Sequence, residues 1–149
     1  NRNFRSFTDL KIFITFIDIN SIELKGAVKL TGKDTIKARD LEIDMEGAGK
    51  LKMLLNVSKL DIEISGAGDA VMSGYAYAND LEMSGASSFD GENLETSKTK
   101  VEVNGAANVF VFARDLLDVK ISGAAEVKYK GEPALKQEIS GVGKIKSVN

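Results

Sequence analysis

The chain has 149 residues, 43% of them apolar, enough for one folded unit with a substantial core. Its 20 basic residues face 22 acidic ones, a net charge of −2 that lacks the basic excess of a nucleic-acid binder. Neither cysteine nor histidine occurs, which excludes disulfides, thiolate and HExxH metal sites, and Ser-His or Cys-His nucleophiles.

The chain opens NRNFRS, without an initiator methionine or a hydrophobic signal region, and reads as a trimmed piece of a longer protein. The first predicted element is a strand over 10–19 that contains the run IFITFIDI. That run is too short to span a bilayer and carries Asp18, so no membrane insertion by this segment is expected. Placed at the start of a stack, it would form a sticky edge.

From about residue 20 to 147 the chain repeats itself. Seven segments align on a glycine: IELKGAVKL on Gly26, IDMEGAGKL on Gly47, IEISGAGDA on Gly66, LEMSGASSF on Gly85, VEVNGAANV on Gly105, VKISGAAEV on Gly123 and QEISGVGKI on Gly141. Two residues before the glycine stand Leu24, Met45, Ile64, Met83, Val103, Ile121 and Ile139. Four before it stand Ile22, Ile43, Ile62, Leu81, Val101, Val119 and Gln137, so the segment is a period-two strand with one apolar face. Four after the glycine a second apolar row runs Leu30, Leu51, Ala70, Phe89, Val109, Val127 and Ile145. The residue after the glycine is alanine in six segments and Val142 in the last.

A strand, a small-residue corner and a second strand cannot bury their apolar face alone, but stacked coils about 4.8 Å apart would bury it as interior ladders. The intervening stretches, KDTIKARD, LLNVSK, SGYAYAN, GENLETSKT, FARDL and KGEPA, vary in length and read as projecting loops. No segment sustains a 3.6-residue period. The expected fold is all-β: one parallel β-helix (β-solenoid) domain over 1–149, of about seven coils of 18–21 residues.

The corner sequence GAGD at 66–69 has three chemical readings. Nucleotide binding needs a third glycine and a following helix, whereas DAVMSGY continues as strand. Calcium-binding nonapeptide coils need a recurring aspartate, yet three after the glycine stand Lys29, Lys50, Asp69, Ser88, Asn108, Glu126 and Lys144. Hexapeptide acyltransferase coils need strict six-residue aliphatic spacing and a histidine base, and both are missing. The corner is therefore structural, and no cofactor or metal is expected.

With their preceding strands, the tandem SGAG, SGAS, NGAA and SGAA corners resemble the autotransporter adhesin family called the head GIN domain, from about Leu10 to Ile145. That resemblance implies a right-handed β-helix and a role in cell-surface adhesion without catalytic residues. It also implies export to the periplasm, outer membrane or surface of a Gram-negative bacterium.

Outward positions of the first strand carry eleven acidic residues against four lysines; the matching positions after the corner carry six lysines against three acids. The column three before the glycine reads Glu23, Asp44, Glu63, Glu82, Glu102, Lys120 and Glu138, a carboxylate ladder that either is simply solvated or contacts a cation or basic partner. Glu63, Glu82 and Glu102 are its candidate contact residues. Tyr75, Tyr77 and Phe110 are aromatic candidates, set either to stack on a sugar or anchor a protein, or to cover the interior at a bend. A polysaccharide-active enzyme would break the repeat in one place, and the comparable break at Arg114-Asp115 is echoed by Arg39-Asp40. The expected function is non-catalytic adhesion or recognition, with a glycan or a host or cell-surface protein as partner and with room for homo-oligomers. A structural envelope spacer is the alternative.

Overall fold

The structure, a computed structural model, describes residues 12–148. Nine strands form a single parallel sheet that winds around one interior. They are β1 (Ser21–Gly26), β2 (Lys29–Gly47), β3 (Lys50–Gly66), β4 (Asp69–Gly85), β5 (Ser88–Gly105), β6 (Asn108–Gly123), β7 (Glu126–Lys130), β8 (Ala134–Gly141) and β9 (Lys144–Ser147). Each strand hydrogen-bonds to its equivalent one coil later, and β6 pairs with both β7 and β8 because the last full coil is interrupted around Gly131 and Pro133. This is the stacked β-solenoid of about seven coils that the repeat implies, with no helix among the described residues.

The seven repeat glycines lie in one register column, Gly26 to Gly47 and on to Gly141. Every one has positive φ, between 86° and 137°. From Gly47 onward the stacking adds a second demand for glycine. Each glycine carbonyl from Gly26 to Gly123 accepts a hydrogen bond from the N–H of the corner residue one coil later, as from Ala67 to Gly47 at 2.9 Å and from Ala86 to Gly66 at 2.8 Å. That contact brings the next glycine's α-carbon so close that a side chain would collide with the carbonyl.

The interior ladders stand where the period-two pattern puts them. Ile43, Ile62, Leu81, Val101 and Val119 form one buried column, and Met45, Ile64, Met83, Val103 and Ile121 form another. Across the corner, Leu51, Ala70, Phe89, Val109 and Val127 form the third. The two ends of the stack are thinner: Ile22, Leu24 and Leu30 are half-buried at one, and Leu135 and Ile139 are exposed at the other.

Two expectations need correction. The stretches read as projecting loops are largely strand: β2 to β6 run almost from corner to corner and add Ile36, Met53, Leu55, Val57, Met72, Ala76, Leu94 and Val111 to the core. Their backbone pairs with neighbouring coils because an unpaired limb would leave polar groups and apolar side chains unsatisfied together. The variation in length is absorbed as bulges, between Thr31 and Thr35, Val71 and Ser73, and Gly91 and Glu95.

The second correction concerns the leading strand over 10–19. Residues 10 and 11 lie outside the described residues, and 12–19 form no strand. Ile12, Phe13, Ile14, Phe16 and Ile17 are exposed there. A run that is apolar at nearly every position cannot bury one face without exposing the other, so it lacks the alternation that seats the repeat strands.

Candidate functional site

The strand limb before each glycine builds an acidic plate. Register aligns Glu23, Asp44, Glu63, Glu82, Glu102, Lys120 and Glu138 in one outward column. Beside it run Glu42, Asp61, Asp80, Lys100, Asp118 and Lys136. Glu42, Asp44, Asp61, Glu63, Asp80 and Glu82 line a shallow open depression of about 240 Å³.

Stacked like charges repel, and lysines set into the plate relieve part of the strain. Lys100 reaches Asp80 at 3.4 Å, Glu82 at 3.9 Å and Glu102 at 4.0 Å. Those carboxylates, Asp80 foremost, hold its ammonium pKa above the ordinary lysine value. Lys59 bonds Asp61 at 2.7 Å and is raised in the same way, chiefly through that hydrogen bond. Lys136 reaches Asp118 at 3.2 Å. Among the described residues Glu42, Asp44, Glu63 and Glu138 make no ion pair, so uncompensated carboxylates lie over β2 and β3 and again on β8.

Glu63, Glu82 and Glu102 are therefore consecutive rungs, two of them sharing Lys100. No group of three or more carboxylates among the described residues converges on a point where it could hold a metal ion.

The aromatic candidates lie on the other limbs. Tyr75 and Tyr77 are 38% and 50% exposed on β4, with Ala76 buried between them, so both rings point outward. Tyr75 lies in register between Asn56 and Glu95, and Lys98 holds its ammonium 5.7 Å from the centre of the Tyr77 ring. Phe110 is half-buried in the column Asp90, Phe110, Lys128. The Tyr75 column continues through Glu95 to Phe112 and not to Phe110, which places Phe110 two residues further back along β6.

Phe112 was hidden from sequence reasoning inside a supposed loop, and its signal is the alternation Phe110, Phe112, Arg114 once that loop is read as strand. Arg114 bonds Glu95 of the preceding coil at 2.8 Å, and Arg39 lies 3.7 Å from Asp40, so each arginine is paired locally. On the limb after the corner, Asp69 accepts from Ser88 at 2.9 Å and lies 3.3 Å from Lys50. These contacts, the Ser88 bond first, hold its pKa below the ordinary aspartate value.

Fold and surface together define a parallel β-solenoid that displays side chains in columns along open faces. The chain belongs to the family described as putative auto-transporter adhesin, head GIN domain, whose sequence pattern matches residues 1–133. A putative adhesin from Bacteroides fragilis is similar at 26% identity and a TM-score of 0.83, over 87% of this chain and 60% of its own. A putative adhesin from Parabacteroides distasonis gives 26% and 0.71, over 88% and 56%. Another P. distasonis structure, described as a putative lipid binding protein, shares the fold at 20% identity and a TM-score of 0.79, over 89% and 55%. The chain thus spans little more than half the length of these structures. No curated protein matches it.

Proposed function

We propose that the chain is a non-catalytic recognition module of an exported bacterial surface or envelope protein. The observation that carries this reading is the set of outward columns held in register along a rigid stack, which presents many weak contacts at one fixed pitch. Family membership supports an adhesin role, and the putative adhesin from B. fragilis with the same fold supports it further. No helix among the described residues is long and apolar enough to cross a membrane. The partner in this reading is a glycan or a protein of a host or neighbouring cell.

Tyr75 and Tyr77 are the first residues to test, because their outward rings offer flat apolar faces of the kind that stack on sugars and anchor protein contacts. Glycan arrays and host-cell binding by the parent chain and by a Tyr75→Ala, Tyr77→Ala variant address them. Expected are a specific glycan or cell signal for the parent and its loss in the variant, with the melting temperature little changed. Unchanged binding with a lowered melting temperature would make the tyrosines a cover for the bend instead. A parent chain that binds no glycan and no cell would favour an envelope spacer.

A further inference from the structure

The limb after the corner changes character toward the last coils. On β6 the outward positions are Asn108, Phe110 and Phe112; on β7 they are Glu126, Lys128 and Lys130; on β9 they are Lys144 and Lys146. Register sets Lys128 on Phe110 and Lys146 on Lys128, with Lys130 on Phe112 and Lys144 on Glu126. The result is a plate of two half-buried phenyl rings bordered by four ammonium groups.

The lysines of this plate are poorly compensated. Glu126 takes Lys128 at 3.6 Å. Lys130, Lys144 and Lys146 have no carboxylate of a described residue within ion-pair distance, and Lys130 instead holds its ammonium 5.2 Å from the centre of the Phe112 ring. On the acidic limb, by contrast, Lys25, Lys100 and Lys136 each reach at least one carboxylate, and Lys120 alone of its four lysines reaches none among the described residues. Lys128 and Lys146 are like charges directly opposite on adjacent strands, a repulsion that a bound anion would relieve.

We infer that this plate, Phe110 and Phe112 with Lys128, Lys130, Lys144 and Lys146, binds an acidic polysaccharide, the ammonium groups meeting its carboxylates or sulfates and the rings its sugar faces. The inference rests on the reading of the chain as a recognition module and supplies the ligand class for one of its surfaces. Charge complementarity selects a polyanion, and the neighbouring acidic limb confines it to this side of the corner. The half-buried rings favour sugar over a membrane: Lys130 caps Phe112, which leaves Phe110 as the ring to meet a sugar face, and neither is the fully exposed aromatic that an interfacial anchor needs.

Fluorescein-labelled polygalacturonate, titrated with the full chain at about 50 mM salt where screening is weak, tests the inference by anisotropy. Saturable binding is expected, with none to neutral dextran. A Lys130→Gln, Lys144→Gln, Lys146→Gln variant with an unchanged circular dichroism spectrum should bind about tenfold more weakly or worse. A Lys33→Gln, Lys37→Gln variant, which loses charge on β2 at the far end of the stack, should bind as the parent does. Absence of binding by the parent would overturn the inference, as would equal binding by the lysine variant. Polyglutamate that competes as well as polygalacturonate would overturn the sugar assignment, and binding to phosphatidylglycerol vesicles without polygalacturonate would replace it with a lipid surface. Polygalacturonate binding without any cell binding would defeat the adhesion reading and leave this surface standing.

Discussion

Alanine in place of Gly66 should destabilise the coil stack far more than alanine in place of Gly26, although both glycines have positive φ, +111° and +86°. A non-glycine residue in that region costs roughly 1–2 kcal/mol at either site. At Gly66 the added methyl would lie 2.6 Å from the carbonyl oxygen of Gly47, 3.1 Å from its nitrogen and 3.2 Å from its carbonyl carbon. All three are backbone atoms, and the oxygen already accepts from Ala67, so nothing nearby can turn aside. Forcing such overpacking adds about 1–3 kcal/mol. At Gly26 nothing lies within 4 Å, so the conformational cost stands alone. Urea unfolding followed by far-ultraviolet circular dichroism should show the larger midpoint shift for Gly66→Ala at unchanged slope. In a thermal scan the Gly66→Ala shift should be roughly 5–15 °C. Equal shifts for the two variants would refute the claim that close approach of successive coils, and not φ alone, demands glycine.

Asn79 occupies an interior column between Leu60 and Thr99, and both polar atoms of its buried side chain have no hydrogen-bond partner among the described residues. Asn79→Leu should therefore raise stability by about 1–2 kcal/mol, seen as a higher urea midpoint, and a lower midpoint would mean that the amide is satisfied and structural. Because the Lys100 pKa is raised in the folded chain, its contribution is complete below the unfolded value of about 10.4 and disappears as pH rises through the folded one. Lys100→Gln should cost less than about 1 kcal/mol at neutral pH and make the alkaline loss of stability shallower, measured as midpoint against pH from 8 to 12. An identical alkaline slope in parent and variant would remove Lys100 as the group relieving the acidic ladder.

The glycine column, the interior ladders and the acidic plate could be read from the chain because each depends on positions counted from one landmark. Ile43, Ile62 and Leu81 stand four residues before their glycines, and stacked coils turn that equality of offset into contact. The limbs between corners resisted the same treatment. Ile36, Leu55 and Leu94 are buried in one register column, yet bulges set them ten, eight and nine residues after their glycines and so scatter them across any alignment by position. Gly74 and Gly131 also have positive φ, and a side chain at either would collide with the carbonyl of Leu55 or Ala113 in the coil before. Each lacks equivalents in enough coils to mark a second corner. The same scatter hid Phe112, while Tyr75 and Tyr77 stood out only as aromatics within a supposed loop. The 12–19 segment misled for the opposite reason: its composition has high strand propensity, but composition does not supply an alternating face.

The hydrogen bond from each corner residue to the glycine carbonyl one coil earlier has an evolutionary consequence. Because the corner realigns the chain once per turn, an inserted or deleted residue shifts only the limb where it falls and is forgotten by the next corner. Coil spacings of 21, 19, 19, 20, 18 and 18 residues fit such tolerance. A lineage could therefore lengthen, shorten or redecorate a single turn without disturbing the others, and so revise what the surface contacts one rung at a time.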